Sequence, residues 1–180
     1  MEHIDIRERL MRGNLRWQAA GKETADRRRE TAQNGQHPTA IVVACSDSRV
    51  IPEQIFSAGL GELFVVRVAG NVLDRHQLGS IEYAAGHLGC RTIVLLGHTR
   101  CGAVSAALSG GGDGFIKTIT DEILLAVGEE RDALRACERN VEHGVALLQK
   151  EFGEHPEIAA DDLEILGAVY DVETGAVRWL

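Results

Sequence analysis

The sequence predicts an α/β fold: a single domain with a mainly parallel β-sheet of four to five strands flanked by helices. Short apolar segments of strand length alternate along the chain with segments of helical spacing, an order typical of strand–helix–strand units. The strand-like segments are continuously apolar, as expected of strands that helices cover on both faces. A chain of 180 residues is long enough for one domain with a sizeable core.

The predicted elements follow one another without an internal repeat or a second domain. Residues 1–35 predict a helical arm, because apolar residues recur at helix-like spacing over residues 3–20 and a charged, solvated helix face follows. The core is expected at residues 36–108. It contains predicted strands at 40–44, 63–68 and 92–96 and predicted helices at 78–88 and 101–108.

The remaining residues complete the predicted fold. The glycine-rich residues 109–114 predict a flexible break. The segment 109–152 is otherwise predicted to be helical, with two helices that divide near Gly128. Residues 153–180 predict C-terminal strands that are separated by a turn at residues 173–175.

Charge and hydropathy exclude several classes of protein. The formal net charge of -8 argues against a non-specific nucleic-acid or anionic-membrane binder. No apolar run approaches the roughly 18 residues of a membrane span, and the charged N-terminus has no secretory apolar segment. We therefore expect a cytoplasmic protein without nucleic-acid or membrane partners. Its four cysteines then indicate metal ligands, a nucleophile or buried thiols rather than disulfides.

Reactive side chains follow two of the predicted strands. The segment ACSDSRV, residues 44–50, follows the first strand, and GHTRCG, residues 97–102, follows the third. Ligand sites of parallel sheets lie beyond the carboxyl ends of the strands, so both segments reach one edge if their strands are neighbours. Cys45, His98 and Cys101 would then form a Cys₂His zinc site, and three protein ligands leave the open fourth position of a catalytic site.

Other interpretations of these residues stay open at this point. Cys45 can be a small buried apolar residue and His98 a hydrogen-bonded structural one. A cysteine phosphatase loop is excluded, because Cys45 and Arg49 bracket only three residues where five are needed. The sequence also lacks phosphate-binding glycine motifs and a C-x-x-C redox motif. Cys90 and Cys137 are expected to be buried thiols.

Four segments together resemble the β-class carbonic anhydrases. They are ACSDSRV, ELFVVRVAGNV, GSIEYAAGHLG and GHTRCGAV, in this order and at this spacing. The close resemblance spans residues 36–108, and a weaker one continues into LGAVYDVETGAV. It implies zinc-dependent, reversible hydration of carbon dioxide to bicarbonate and a proton by zinc-bound hydroxide, with one Zn²⁺ per chain. It also implies a homodimer or a dimer of dimers, in which the N-terminal helix packs on the partner.

The resemblance implies roles for individual residues. Cys45, His98 and Cys101 match the family's zinc ligands. Asp47 and Arg49 match its catalytic Asp–Arg pair. The implied substrate-binding residues are Gln36, Phe64, Ala69, Tyr83 and Gly102. Gln36 would donate a hydrogen bond to the substrate, and Gly102 would lie beside the metal. Phe64, Ala69 and Tyr83 would line an apolar CO₂ pocket at a dimer interface.

Asp47 can take two positions. Arg49 can hold its carboxylate ionised and oriented, or Asp47 can itself become a fourth zinc ligand in a closed form known in the family. We hypothesise a switch between these two arrangements, with the closed form favoured at lower pH. Two alternative functions also remain: a carbonyl sulfide or carbon disulfide hydrolase on the same scaffold, and a non-catalytic zinc-binding module. The complete Asp47–Arg49 pair argues against the second, because a protein that only holds zinc needs neither residue.

Overall fold

A five-stranded sheet organises the described part of the chain, which in this computed structural model comprises residues 5–153, 155, 158 and 163–180. Its strands are β1 (Ala40–Cys45), β2 (Leu63–Val68), β3 (Thr92–His98), β4 (Glu164–Tyr170) and β5 (Val177–Trp179). They lie in the order β2–β1–β3–β4–β5, and only β5 runs antiparallel to its neighbour. The prediction of a mainly parallel α/β sheet flanked by helices is confirmed.

The helices alternate with the strands much as predicted. They are α1 (Ile6–Gln18), α2 (Lys22–Asn34), α3 (Pro52–Ile55), α4 (Arg75–His87), α5 (Gly102–Leu108), α6 (Ile116–Val127) and α7 (Ala133–Phe152). The predicted break at residues 109–114 separates α5 from α6, and Gly128 ends α6. The short α3 was not predicted; it begins at Pro52, whose fixed φ and missing N–H suit the first turn of a helix.

The described residues up to Gln36 form one compact unit, and those from His37 to Leu180 form another. Helices α1 and α2 make up the first unit, in which the Arg28 guanidinium lies 5.3 Å from the Trp17 ring centroid. Arg28 also donates hydrogen bonds to the carbonyl oxygens of Trp17 and Gln18, at 2.7 and 3.1 Å, and so ties α2 to the end of α1. Residues 1–4 of the predicted arm lie outside the described residues.

The second unit contains the sheet, and its strand register brings two strand ends together. β1 pairs with β3 in parallel, with Ala44 opposite Leu96, so both strands end at the same edge. On the other side β1 pairs with β2, with Cys45 opposite Val68. The condition that the sequence left open, that the two motif-bearing strands are neighbours, is therefore met.

Apolar side chains cover both faces of this sheet. One face contributes Ile41, Val43, Ile93 and Leu95 to the main core cluster, and the opposite face contributes Val42, Ala44, Val94 and Leu96 to another. Helix α7 packs very closely on the sheet: a Cβ on Gly97 would lie 2.5 Å from Val141 Cγ2. Within the described residues, every helix is too short or too polar to span a lipid bilayer.

Candidate metal centre

Two strand ends and one helix start bring three metal-ligating side chains together. Cys45 ends β1, His98 ends the neighbouring β3, and Cys101 immediately precedes α5. All three residues are buried, and their ligand atoms lie within 4.8 Å of one another. The structure thus gathers, at the carboxyl edge of the sheet, the three residues that the sequence singled out as zinc ligands.

The donor atoms of this cluster suit a metal ion. His98 Nδ1 lies 2.9 Å from the carbonyl oxygen of Thr99, and donation of a hydrogen bond there fixes the tautomer that leaves Nε2 unprotonated. Nε2 is buried and has no hydrogen-bond partner among the described residues. A buried polar atom without a partner is costly, and a metal ion would satisfy it. Two thiols and one imidazole are ligands that zinc prefers, so the residues present fit zinc.

The hydrogen bond between the two thiols shifts their pKa values in opposite directions. The hydrogen bond shared with Cys101 lowers the pKa of Cys45 below its ordinary value, although burial alone would raise it. The same hydrogen bond, together with burial, raises the pKa of Cys101 far above its ordinary value. The backbone N–H groups of Gly70 and Asp47 also donate to Cys45 Sγ, at 3.2 and 3.4 Å. One thiolate is therefore stabilised by the protein, and a bound cation would have to displace the proton of Cys101.

Asp47 stands beside this cluster and faces Arg49. Arg49 Nε donates to Asp47 Oδ1 at 2.9 Å and its Nη2 donates to Oδ2 at 2.8 Å, which makes the pair bidentate. Oδ2 also lies 4.0 Å from His98 Nε2. The hydrogen bond from the Arg49 side chain holds the pKa of the Asp47 carboxyl well below its usual range, against the opposing effect of burial. The carboxylate is thus ionised and oriented at the edge of the metal cluster.

Similarity to known proteins identifies the family. The family model for carbonic anhydrases matches residues 40–177. The chain belongs to the β-carbonic anhydrase family. Carbonic anhydrase 2 of Mycobacterium tuberculosis (strain CDC 1551 / Oshkosh) is 41% identical over 152 residues, which cover 78% of this chain and 73% of that protein.

Solved structures of β-carbonic anhydrases share the fold. The β-carbonic anhydrase CafA of Aspergillus fumigatus is 28% identical to the chain, with a TM-score of 0.88 and coverage of 98% of this chain and 91% of that one. One of two tetrameric β-carbonic anhydrases of Sordaria macrospora is 29% identical, with a TM-score of 0.71 and coverage of 93% of this chain and 97% of that one. The resemblance to this family seen in the sequence is therefore confirmed.

The residues that the family resemblance assigned to substrate binding occupy different parts of the structure. Phe64 on β2 and Tyr83 on α4 lie close together, with ring centroids 6.3 Å apart, and Tyr83 is 48% exposed. Ala69 is half-buried just after β2, and Gly102 is the exposed first residue of α5. Gln36 is exposed and ends the first unit. The substrate roles of these five residues stay predictions, as does the closed form with Asp47 on the metal.

Arg67 contacts the backbone of the candidate metal centre, and the sequence analysis did not single it out. Its Nε donates to the carbonyl oxygen of Cys45 at 3.0 Å, and its Nη2 donates to that of Asp47 at 2.7 Å. Arg49 Nη2 makes a comparable bond to the carbonyl oxygen of Arg100, at 3.2 Å. Arg67 thus ties β2 to the end of β1 and to the loop that follows it, and Arg49 ties that loop to the loop after β3. A cation inside the otherwise apolar strand LFVVRV was the one signal of this role in the sequence.

The other two cysteines are buried, as predicted. Cys90 Sγ donates a hydrogen bond to the carbonyl oxygen of Pro38 at 3.2 Å. Burial raises the pKa of Cys137 to about 11. Burial also raises the pKa of Cys90, so neither thiol has the lowered pKa that a reactive cysteine needs.

Proposed function

We propose that the chain catalyses the reversible hydration of carbon dioxide to bicarbonate and a proton, with one zinc ion held by Cys45, His98 and Cys101. The observation that carries this proposal is the position of an ionised, arginine-held carboxylate at the edge of the Cys₂His cluster. Three protein ligands leave a fourth position for water, as in catalytic zinc sites. Family membership supports the same reaction.

Zinc, when bound, supplies a hydroxide nucleophile at neutral pH, because it lowers the pKa of coordinated water from 15.7 to about 7. Asp47 would orient this nucleophile. An ionised carboxylate only accepts hydrogen bonds, so Oδ2 would accept a hydrogen bond from the hydroxide and leave an oxygen lone pair free for the carbon of CO₂. Arg49 keeps Asp47 ionised and prevents its rotation through the two parallel hydrogen bonds.

The proposed CO₂ pocket is lined by Phe64, Ala69 and Tyr83. Apolar walls suit a linear substrate without a net charge, and they favour release of the charged product to water. Gln36 is proposed to donate a hydrogen bond to the oxygen that gains charge as bicarbonate forms. Gly102 would leave room beside the metal, since it carries no side chain.

We further propose that the enzyme works as a homodimer or a dimer of dimers. Tyr83 is 48% exposed, although the neighbouring Phe64 of the same chain is half-buried. A single chain therefore leaves this wall of the proposed pocket open to water. Helix α1 also exposes apolar side chains, namely Ile6, Leu10, Met11 and Leu15. Exposed apolar surface of this kind favours association. The tetrameric relatives of Sordaria macrospora support the same expectation.

Two measurements on purified protein test the proposed function. Elemental analysis should find one zinc per chain, and stopped-flow assays with a pH indicator should detect hydration of CO₂. Cys101→Ala should lose both zinc and activity, because it removes a ligand. Cys90→Ala is the matched control: it removes an equally buried thiol that bonds Pro38, and it should keep both. Zinc-loaded wild-type protein without hydratase activity at any pH would refute the proposal.

A further inference from the structure

A chain of two hydrogen bonds connects helix α7 to the first candidate zinc ligand. Asn140 Nδ2 on α7 donates to the carbonyl oxygen of Gly70 at 2.8 Å. The N–H of Gly70 in turn donates to Cys45 Sγ at 3.2 Å. Asn140 is 5% exposed and Gly70 is buried, so water does not compete for either bond. The two bonds join three segments that are far apart in sequence.

Gly70 requires such an anchor because of its backbone. It lies in the turn after β2 with a φ of +69°, the left-handed region that favours glycine. A Cβ there would lie 2.8 Å from Ile123 Cδ1 and 3.1 Å from Ala103 Cβ, so the packing of α5 and α6 also requires glycine. Glycine has the largest conformational freedom of all residues, so a bond that fixes its carbonyl group restricts the turn from which its N–H donates.

Asn140 is well placed to hold that carbonyl group. Its neighbour Val141 is fully buried and packs against Gly97 at a distance that excludes a larger residue, so α7 cannot shift easily on the sheet. Asparagine is a weak helix former, and burial of its amide costs free energy unless the amide is hydrogen-bonded. A purely structural position on this buried helix face would be better served by an aliphatic side chain. The polar residue at this position therefore indicates a specific partner, and that partner is Gly70.

We propose that Asn140 is a positioning residue of the zinc site. It holds Gly70 so that the N–H of Gly70 donates to Cys45 Sγ. This inference rests on the proposed zinc site. A backbone N–H that donates to a thiolate stabilises the charged form and leaves the other sulfur lone pairs directed at the metal. Loss of a hydrogen bond to a metal ligand typically weakens metal binding about 10- to 100-fold.

The test compares zinc affinity in wild-type protein and three variants. Asn140→Asp keeps the shape of the side chain but presents an oxygen to the Gly70 carbonyl, and Asn140→Ala removes the donor altogether. Both should raise the zinc dissociation constant, measured by competition with a chelating dye, by about tenfold or more. Leu148→Ala is the packing control, since it truncates another fully buried residue of α7 that lies in the main core cluster. It should lower the melting temperature and leave zinc affinity unchanged.

A second readout separates positioning of Cys45 from general loss of structure. In cobalt-substituted protein, both Asn140 variants should change the thiolate-to-cobalt absorption bands, while Leu148→Ala should keep the wild-type spectrum. If the Asn140 variants bind zinc with wild-type affinity and keep the wild-type cobalt spectrum, the inference is wrong and the proposed function stands. If the wild type binds zinc but does not hydrate CO₂, the proposed function is wrong and the role of Asn140 stands.

Discussion

The close contact between β3 and α7 leads to a prediction about the free energy of unfolding. In Gly97→Ala, the new Cβ would lie 2.5 Å from Val141 Cγ2, far inside van der Waals contact. The next nearest atoms are the carbonyl oxygens of Cys137 and Ala168, at the ordinary distances of 3.7 and 3.8 Å. The conflict therefore concerns a single methyl group, and removal of that methyl group should relieve it.

The size of the effect follows from these contacts. Overpacking of a rigid core costs about 1–3 kcal/mol, which we expect for Gly97→Ala. Val141→Ala removes two methyl groups at a fully buried position and should cost about 2 kcal/mol. Independent effects would add to about 3–5 kcal/mol in the double variant. Because the new Cβ occupies space that Val141 Cγ2 vacates, the double variant should be more stable than this sum by about 1 kcal/mol or more.

Guanidinium chloride unfolding of the zinc-loaded proteins measures these free energies from the midpoint and slope of each transition. The matched control is Gly79→Ala in α4, where a Cβ meets no atom within 4 Å. It should stabilise the protein by about 0.4–1 kcal/mol, because alanine restricts the unfolded chain. Gly97→Ala with wild-type stability, or strictly additive effects in the double variant, would refute the reasoning from this contact.

Three further predictions concern charge and metal. Asp47→Asn should retain zinc but lower kcat for CO₂ hydration on the order of 100-fold. If the amide oxygen keeps the bonds that Oδ1 accepts from Arg49, an NH₂ group, which donates, replaces Oδ2, the acceptor proposed for the nucleophile. Stopped flow measures the rate and elemental analysis the zinc content, and an unchanged kcat would contradict the role of Asp47. Glu138, which links α7 to β5 through Arg135 and Arg178, has a pKa held below its usual value chiefly by the hydrogen bond from Arg135. The stability that ionised Glu138 contributes is present above the unfolded pKa of about 4.3 and is lost as pH falls through the pKa of the folded state. The unfolding midpoints of Glu138→Gln and wild type should therefore differ at pH 7 and converge in acid. Removal of zinc by a chelator should lower the melting temperature, which differential scanning calorimetry measures. Zinc added back at 100 times its dissociation constant should raise the free energy of unfolding by about 2.7 kcal/mol. Magnesium should not, because it prefers oxygen ligands to thiolates.

Local patterns in the sequence were sufficient for most of the fold. Continuous apolar runs predicted β1, β2 and β3, because a strand covered on both faces needs apolar residues at every position. The same patterns placed Cys45 and His98 at strand ends, where ligand sites of parallel sheets form. The chemistry of two thiols and an imidazole then suggested zinc.

The contacts that organise this site depended on the tertiary structure. Arg67, Gly70 and Asn140 act through hydrogen bonds to backbone groups or to a thiol across 20 to 70 residues of sequence. A backbone acceptor carries no signature in the sequence, so these partners could not be predicted from residue types.

Asp47 illustrates the division most clearly. The sequence by itself determined that a carboxylate stands two residues after a metal ligand and two residues before an arginine, which allows either partner. The tertiary structure decided that the carboxylate faces Arg49 and lies 4.0 Å from His98 Nε2. The physical reason is that the outcome depends on where Arg49 and Asp47 are held by the loops after β1 and β3. Those loops meet only because the two strands are neighbours in the sheet.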